Sequence, residues 1–71
     1  MGGPREVTTS EVLALIESFI RENGCPPTVR ELVDETGLSG PSAVHYHLTK
    51  LKAVGMIDWI PGKARTIRVL T

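Results

Sequence analysis

Over residues 8–37 the chain twice repeats one local pattern: a threonine, a glutamate three positions later, an apolar stripe, and then a glycine. Thr8 with Glu11, and Thr28 with Glu31, have the spacing of a capping box, in which each side chain satisfies a backbone amide that the first helical turn leaves unpaired. Val12, Leu15, Ile16, Phe19 and Ile20 follow the first box at three- and four-residue spacing, so they share one face of a helix that Gly24 stops. Glu17, Arg21 and Glu22 fall on the opposite, wet face. Val29, Leu32, Val33 and Thr36 form the corresponding face of a second, shorter helix closed by Gly37. Cys25-Pro26-Pro27 between them lacks two amide hydrogens and biases the preceding residues toward extended geometry, which makes it a stiff connector.

Leu38-Ser39-Gly40 reads as a tight turn, and Pro41 suits the first position of a third helix, where a missing amide costs nothing. That helix is predicted to run to about Val54, with Val44, Leu48 and Leu51 inward and Ser42, Tyr46, Thr49 and Ala53 outward. Residues 56–60 and 65–70 read as two strands joined through Pro61-Gly62, with Ile57 and Trp59 facing Ile67 and Val69 on the inside and Asp58 and Arg68 outside. A chain of 71 residues supports one small core, so all these elements belong to one domain. The expected architecture is α+β, mostly α: three helices and a C-terminal two-stranded β-hairpin over residues 8–71, with residues 1–7 a flexible lead-in.

The formal net charge is zero, which does not suggest a polyanionic partner until its distribution is followed along the chain. Residues 1–37 carry three arginines against seven acids, minus four, and residues 38–71 carry Lys50, Lys52, Lys63, Arg65 and Arg68 against Asp58 alone, plus four. Such a dipole concentrates attraction for phosphates on one half. A single cysteine forms no internal disulfide, which fits a reducing cytoplasm, and no apolar run approaches the roughly 20 residues a membrane span needs. His45 and His47 lie two positions apart, so on a helix they point about 160 degrees from one another and do not share a metal ion. No nucleophile–base pair, paired carboxylates or glycine-rich phosphate loop is present, so neither an enzyme nor a cofactor site is expected.

A short helix, a turn with Gly37 and a longer helix with a small, uncharged start make a helix-turn-helix unit. A helix enters the major groove of B-DNA only when its leading end is free of bulk, and Gly40, Pro41, Ser42 and Ala43 meet that condition. A basic hairpin after such a unit is a wing whose Lys63 and Arg65 can reach phosphates or the minor groove. The expected partner is therefore double-stranded DNA. The alternative is a winged-helix protein–protein module, whose binding would lack the steep salt dependence of phosphate contacts.

The runs Asn23-Gly24-Cys25-Pro26-Pro27-Thr28-Val29-Arg30-Glu31-Leu32 and Gly37-Leu38-Ser39-Gly40-Pro41-Ser42-Ala43-Val44-His45-Tyr46-His47-Leu48 resemble the DNA-binding domain of LexA-type repressors. Lys63, Arg65 and Ile67-Arg68-Val69-Leu70 extend the likeness, which spans Val7 to Leu70. The resemblance implies a winged helix-turn-helix whose third helix reads a short palindromic operator through Gly40, Ser42, Ala43, His45 and Tyr46. LexA proteins often have a serine, an asparagine and acidic residues where this chain has Gly40, Ser42, His45 and Tyr46. Thr28, Ser39, Thr49, Lys50, Lys52, Lys63 and Arg65 complete the set as expected backbone contacts. The family's self-cleaving C-terminal domain, with its serine and lysine dyad, has no counterpart in these 71 residues. The chain is accordingly expected to act in the cytoplasm of a bacterium or phage host, as a monomer alone and a dimer on DNA or through that further domain.

Overall fold

The computed structural model describes residues 7–70. Helix α1 spans Thr9–Asn23, α2 Val29–Thr36 and α3 Pro41–Ala53, followed by strands β1 (Ile57–Asp58) and β2 (Arg68–Val69). Both capping boxes form. The Glu11 amide donates to Thr8 Oγ1 at 3.1 Å while the Thr8 amide donates to a Glu11 carboxylate oxygen at 3.0 Å. In the second box the Glu31 amide donates to Thr28 Oγ1 at 3.0 Å, and the Thr28 amide donates to Glu31 Oε1 at 2.8 Å. Gly24 and Gly37 end α1 and α2 at φ 75° and 72°, in the left-handed region where a side chain would be strained.

Each helix packs on the other two, and α3 also carries β1. The shared core contains Val12 and Ile16 from α1, Leu32 from α2, Val44, Leu48 and Leu51 from α3, and Ile57, Trp59 and Ile67 from the hairpin. Burial of a Val, Leu, Ile or Phe-sized side chain contributes about 1.5–3 kcal/mol each, which is set against a conformational-entropy cost of similar total size. Thr36 is the buried polar residue among those described. Its hydroxyl donates to Leu32 O at 2.7 Å and accepts from the Leu38 amide at 3.2 Å, which satisfies it and fixes the turn between α2 and α3.

Two features differ from the sequence reading. Val7, placed with the lead-in, is buried against the core at 9% exposure, while residues 1–6 of that segment lie outside the described residues. The strands are also shorter than 56–60 and 65–70. Ile57 pairs with Val69 and Asp58 with Arg68 in antiparallel register, and the Leu70 amide adds one bond to Met56 O at 2.9 Å. Beyond Asp58 side chains replace the ladder, because the Trp59 amide donates to Asp58 Oδ1 (2.9 Å) and the Ile60 amide to Thr66 Oγ1 (3.0 Å). The Lys63 amide closes on Ile60 O at 3.1 Å across Pro61 and Gly62, whose φ of 84° gives this tip the residue pattern of a type II turn. Trp59 and Ile67 nevertheless face inward and Asp58 and Arg68 outward, as the alternation predicts. Three helices and a two-stranded hairpin in this order make a winged helix-turn-helix.

Candidate nucleic-acid interface

Because Val44, Leu48 and Leu51 pin one stripe of α3 to the core, the helix presents the opposite stripe to solvent. Ser42, His45, Tyr46, Thr49 and Lys50 are exposed there, with Lys52 and Ala53 further along, and Gly40 and Ala43 are half-buried at the leading end. No acid occurs in the first turn, and Lys50 and Lys52 lie in the last. Gly40 is the N-cap and makes no side-chain capping bond, unlike Thr8 and Thr28 on the other two helices. The start of α3 therefore carries amides that no capping side chain covers, next to small residues.

The aromatic residues of α3 divide their roles. Tyr46 is 59% exposed, with the Lys50 ammonium 5.1 Å over its ring centre and 3.4 Å from its hydroxyl. The His45 ring meets the buried Trp59 indole edge-on at 5.2 Å, which couples the exposed face of α3 to the root of the wing. His47 turns the other way. Its Nδ1 lies 2.9 Å from Thr9 Oγ1, a hydrogen bond that ties α3 to the start of α1. Lys52 donates from Nζ to Trp59 O at 2.9 Å and so fastens the wing root rather than standing free.

The wing tip and the start of α2 border an open cleft of about 300 Å³ lined by Thr28, Arg30, His45, Trp59, Lys63 and Arg65 among others. Lys63 is exposed at the hairpin tip, and among the described residues its ammonium forms no ion pair. Thr28 uses its hydroxyl as the α2 cap, and Ser39 is exposed in the turn before α3.

Arg65 has partners within the protein that its position in a basic hairpin does not reveal. Its guanidinium donates to both carboxylate oxygens of Glu31, at 3.0 and 3.1 Å, and also to Pro26 O at 2.9 Å, with Cys25 Sγ at 3.7 Å. The donors expected to seek phosphate are turned to the α2 start. The Thr28 amide foremost, and then the Arg65 guanidinium, hold the Glu31 carboxyl below its ordinary value of 4.5, and the Glu31 bond pushes the Arg65 guanidinium up. In the sequence Glu31 shows only its role in the α2 cap. A partner 34 residues away leaves no periodic signal.

Among the described residues no group of three or more His, Cys, Asp or Glu side chains is placed to hold a metal ion, and no helix is long and apolar enough to cross a membrane. The family described as LexA DNA binding domain matches residues 7–66, from the buried Val7 through all three helices to Thr66 of the wing. The chain belongs to the LexA DNA-binding domain family. Proteins named LexA repressor match it at 38% identity over 60 residues in Carboxydothermus hydrogenoformans, covering 84% of this chain and 29% of that protein. The corresponding figures are 45% over 60 residues, 84% and 30%, in Caldicellulosiruptor saccharolyticus. In Desulfatibacillum aliphaticivorans they are 46% over 61 residues, 86% and 30%. The chain thus spans less than a third of the length of these LexA repressors, and the similarity concerns their DNA-binding module.

Proposed function

We propose that this LexA-type domain is the DNA-reading part of a transcriptional repressor, with α3 seated in the major groove of a palindromic operator and the wing against the backbone or minor groove. The observation that carries the reading is the division of α3 itself. One stripe is sealed into the core, and the other is exposed, acid-free and small at its leading end, with Ser42, His45 and Tyr46 outward. Gly40, Ser42, Ala43, His45 and Tyr46 are assigned to base edges. Ser39, Thr49, Lys50 and Lys63 are assigned to phosphates, and the backbone near Thr28 lies at the edge of the same surface. Lys52 spends one of its three ammonium donors on Trp59 O, so it holds the wing root and keeps two donors for a phosphate.

On this reading the protein is a non-catalytic regulator that works on bacterial or phage-host DNA in the cytoplasm. Two copies serve one operator, since two-fold DNA is matched by two-fold protein.

Lys63 gives the direct test, because a phosphate contact adds affinity without regard to sequence. Lys63→Ala is expected to weaken binding to selected and random duplexes alike and to reduce the slope of log K against log salt by about 1. Titrations at four or more salt concentrations measure both quantities. A slope equal to that of the wild type would remove Lys63 from the interface.

A further inference from the structure

Two sets of contacts hold the wing, and they act at opposite ends of it. The root is fixed to α3 by the buried Ile57, Trp59 and Ile67, by Lys52 on Trp59 O, and by His45 against the Trp59 ring. The tip has no such packing, since residues 60–65 are all exposed. What joins the tip segment to the helix-turn-helix is Arg65, through two bonds to Glu31 and one to Pro26 O. Its backbone is correspondingly unusual. Arg65 has φ 59°, the one positive value among the described non-glycine residues, and a bulky residue stays in that region only where its surroundings over-determine it.

We propose that Arg65 and Glu31 form a latch that positions the wing for DNA, and that Arg65 is a positioning residue rather than a phosphate contact. Glu31 joins two functions in one carboxylate. Oε1 accepts the Thr28 amide that starts α2 and also one arm of Arg65, while Oε2 accepts the other arm. The start of α2 and the tip of the wing therefore share one anchor, and the wing presents Lys63 from a fixed place. A fork-to-fork guanidinium–carboxylate pair specifies orientation as well as proximity, which a lysine would not reproduce.

The inference rests on the DNA-binding reading, and it makes a prediction of opposite sign to simple electrostatics. Glu31→Gln removes a negative charge beside a polyanion site and frees Arg65, so a phosphate-contacting Arg65 would bind DNA more tightly in that variant. The latch predicts weaker binding. Gln keeps a carbonyl acceptor for the Thr28 amide, so the α2 cap survives the change. Arg65→Lys keeps the positive charge and loses the fork.

The experiment combines anisotropy titrations on a selected duplex across a salt series with amide hydrogen exchange of residues 60–66 in the DNA-free protein. Both single variants are expected to bind about three- to tenfold more weakly at every salt concentration, with the wild-type salt slope, and the double variant no more weakly than either single one. Exchange at the tip is expected to accelerate in both variants while helical exchange stays as in the wild type. Tighter binding by Glu31→Gln, a reduced slope in Arg65→Lys, or unchanged tip exchange would overturn the latch. Exchange is read without DNA, so failure of the wild-type chain to bind duplex would defeat the DNA reading while the exchange result still decides whether the pair holds the tip.

Discussion

Two copies of the chain joined by a short dimerising tether are expected to bind a palindromic duplex about 10²–10⁴ times more tightly than the free chain binds it. Val12 and Ile16 of α1 meet the apolar faces of α2, α3 and the hairpin in one core, Leu15 and Phe19 are half-buried outside it, and the large apolar residues exposed among the described residues are Tyr46, Val54, Ile60 and Leu70. Tyr46 stands on the outer stripe of α3, where the DNA would lie. A stable interface buries about 800 Å² on each partner around an apolar centre, and these side chains do not furnish one. The free chain is therefore expected to sediment as a monomer and to bind a half-site with a Kd of micromolar order or weaker at physiological salt. Tethering turns the second half-site contact into an intramolecular event. The gain is largest for half-sites about one helical turn apart, where both copies meet the groove on one side. Sedimentation equilibrium and paired titrations of tethered and free chains measure the two parts. A stable dimer of the free chain at micromolar concentration, or equal affinity with and without the tether, would show an association surface on the domain.

Tyr46→Ala is expected to cost about 1–3 kcal/mol on the selected sequence, a factor of roughly 5–150, and little on random duplex. The ring projects from the third-helix stripe opposite Val44, Leu48 and Leu51, and the Lys50 ammonium sits 5.1 Å over it. A ring placed in this way offers a hydroxyl to a base edge and an apolar surface to a thymine methyl. Tyr46→Phe separates these two contributions, since it removes the hydroxyl and keeps the ring. The substitution leaves the core untouched, so helical content should stay that of the wild type. Equal losses for Tyr46→Ala on selected and random DNA would make Tyr46 a backbone contact instead.

The features legible in the sequence are those whose partners are close along the chain. Thr8 and Glu11, Thr28 and Glu31, and the glycines at 24 and 37 define two helices because capping is completed within four residues or at the helix end. The stripe Val44, Leu48 and Leu51 orients α3 by period alone, and with it the exposure of Ser42, His45 and Tyr46.

What stayed hidden depends on chain segments meeting in space. Arg65 reads as a free wing cation until the fold brings it to Glu31, and Lys52 reads as a phosphate contact with no partner in the protein until Trp59 O lies 2.9 Å away. The bond between His47 and Thr9 spans 38 positions and leaves no local trace. The hairpin reads as longer strands because alternation reports which way residues face, and that part held for Trp59 and Ile67. Periodicity is silent on whether an amide bonds across the ladder or, as at Trp59 and Ile60, to a nearby side chain. Val7 escaped for a related reason: one apolar residue after Gly2, Gly3 and Pro4 has no period, and only packing against the finished core identifies it.

The claim that the outer stripe of α3 and the wing together form the DNA-binding surface is tested most directly by mapping amide chemical shifts as duplex DNA is added to the labelled chain. The large perturbations are expected at residues 39–50 and 60–65, with the exposed α1 positions Glu17, Arg21 and Glu22 unmoved. Perturbations centred on α1, or spread evenly over the domain with residues 40–46 spared, would contradict it.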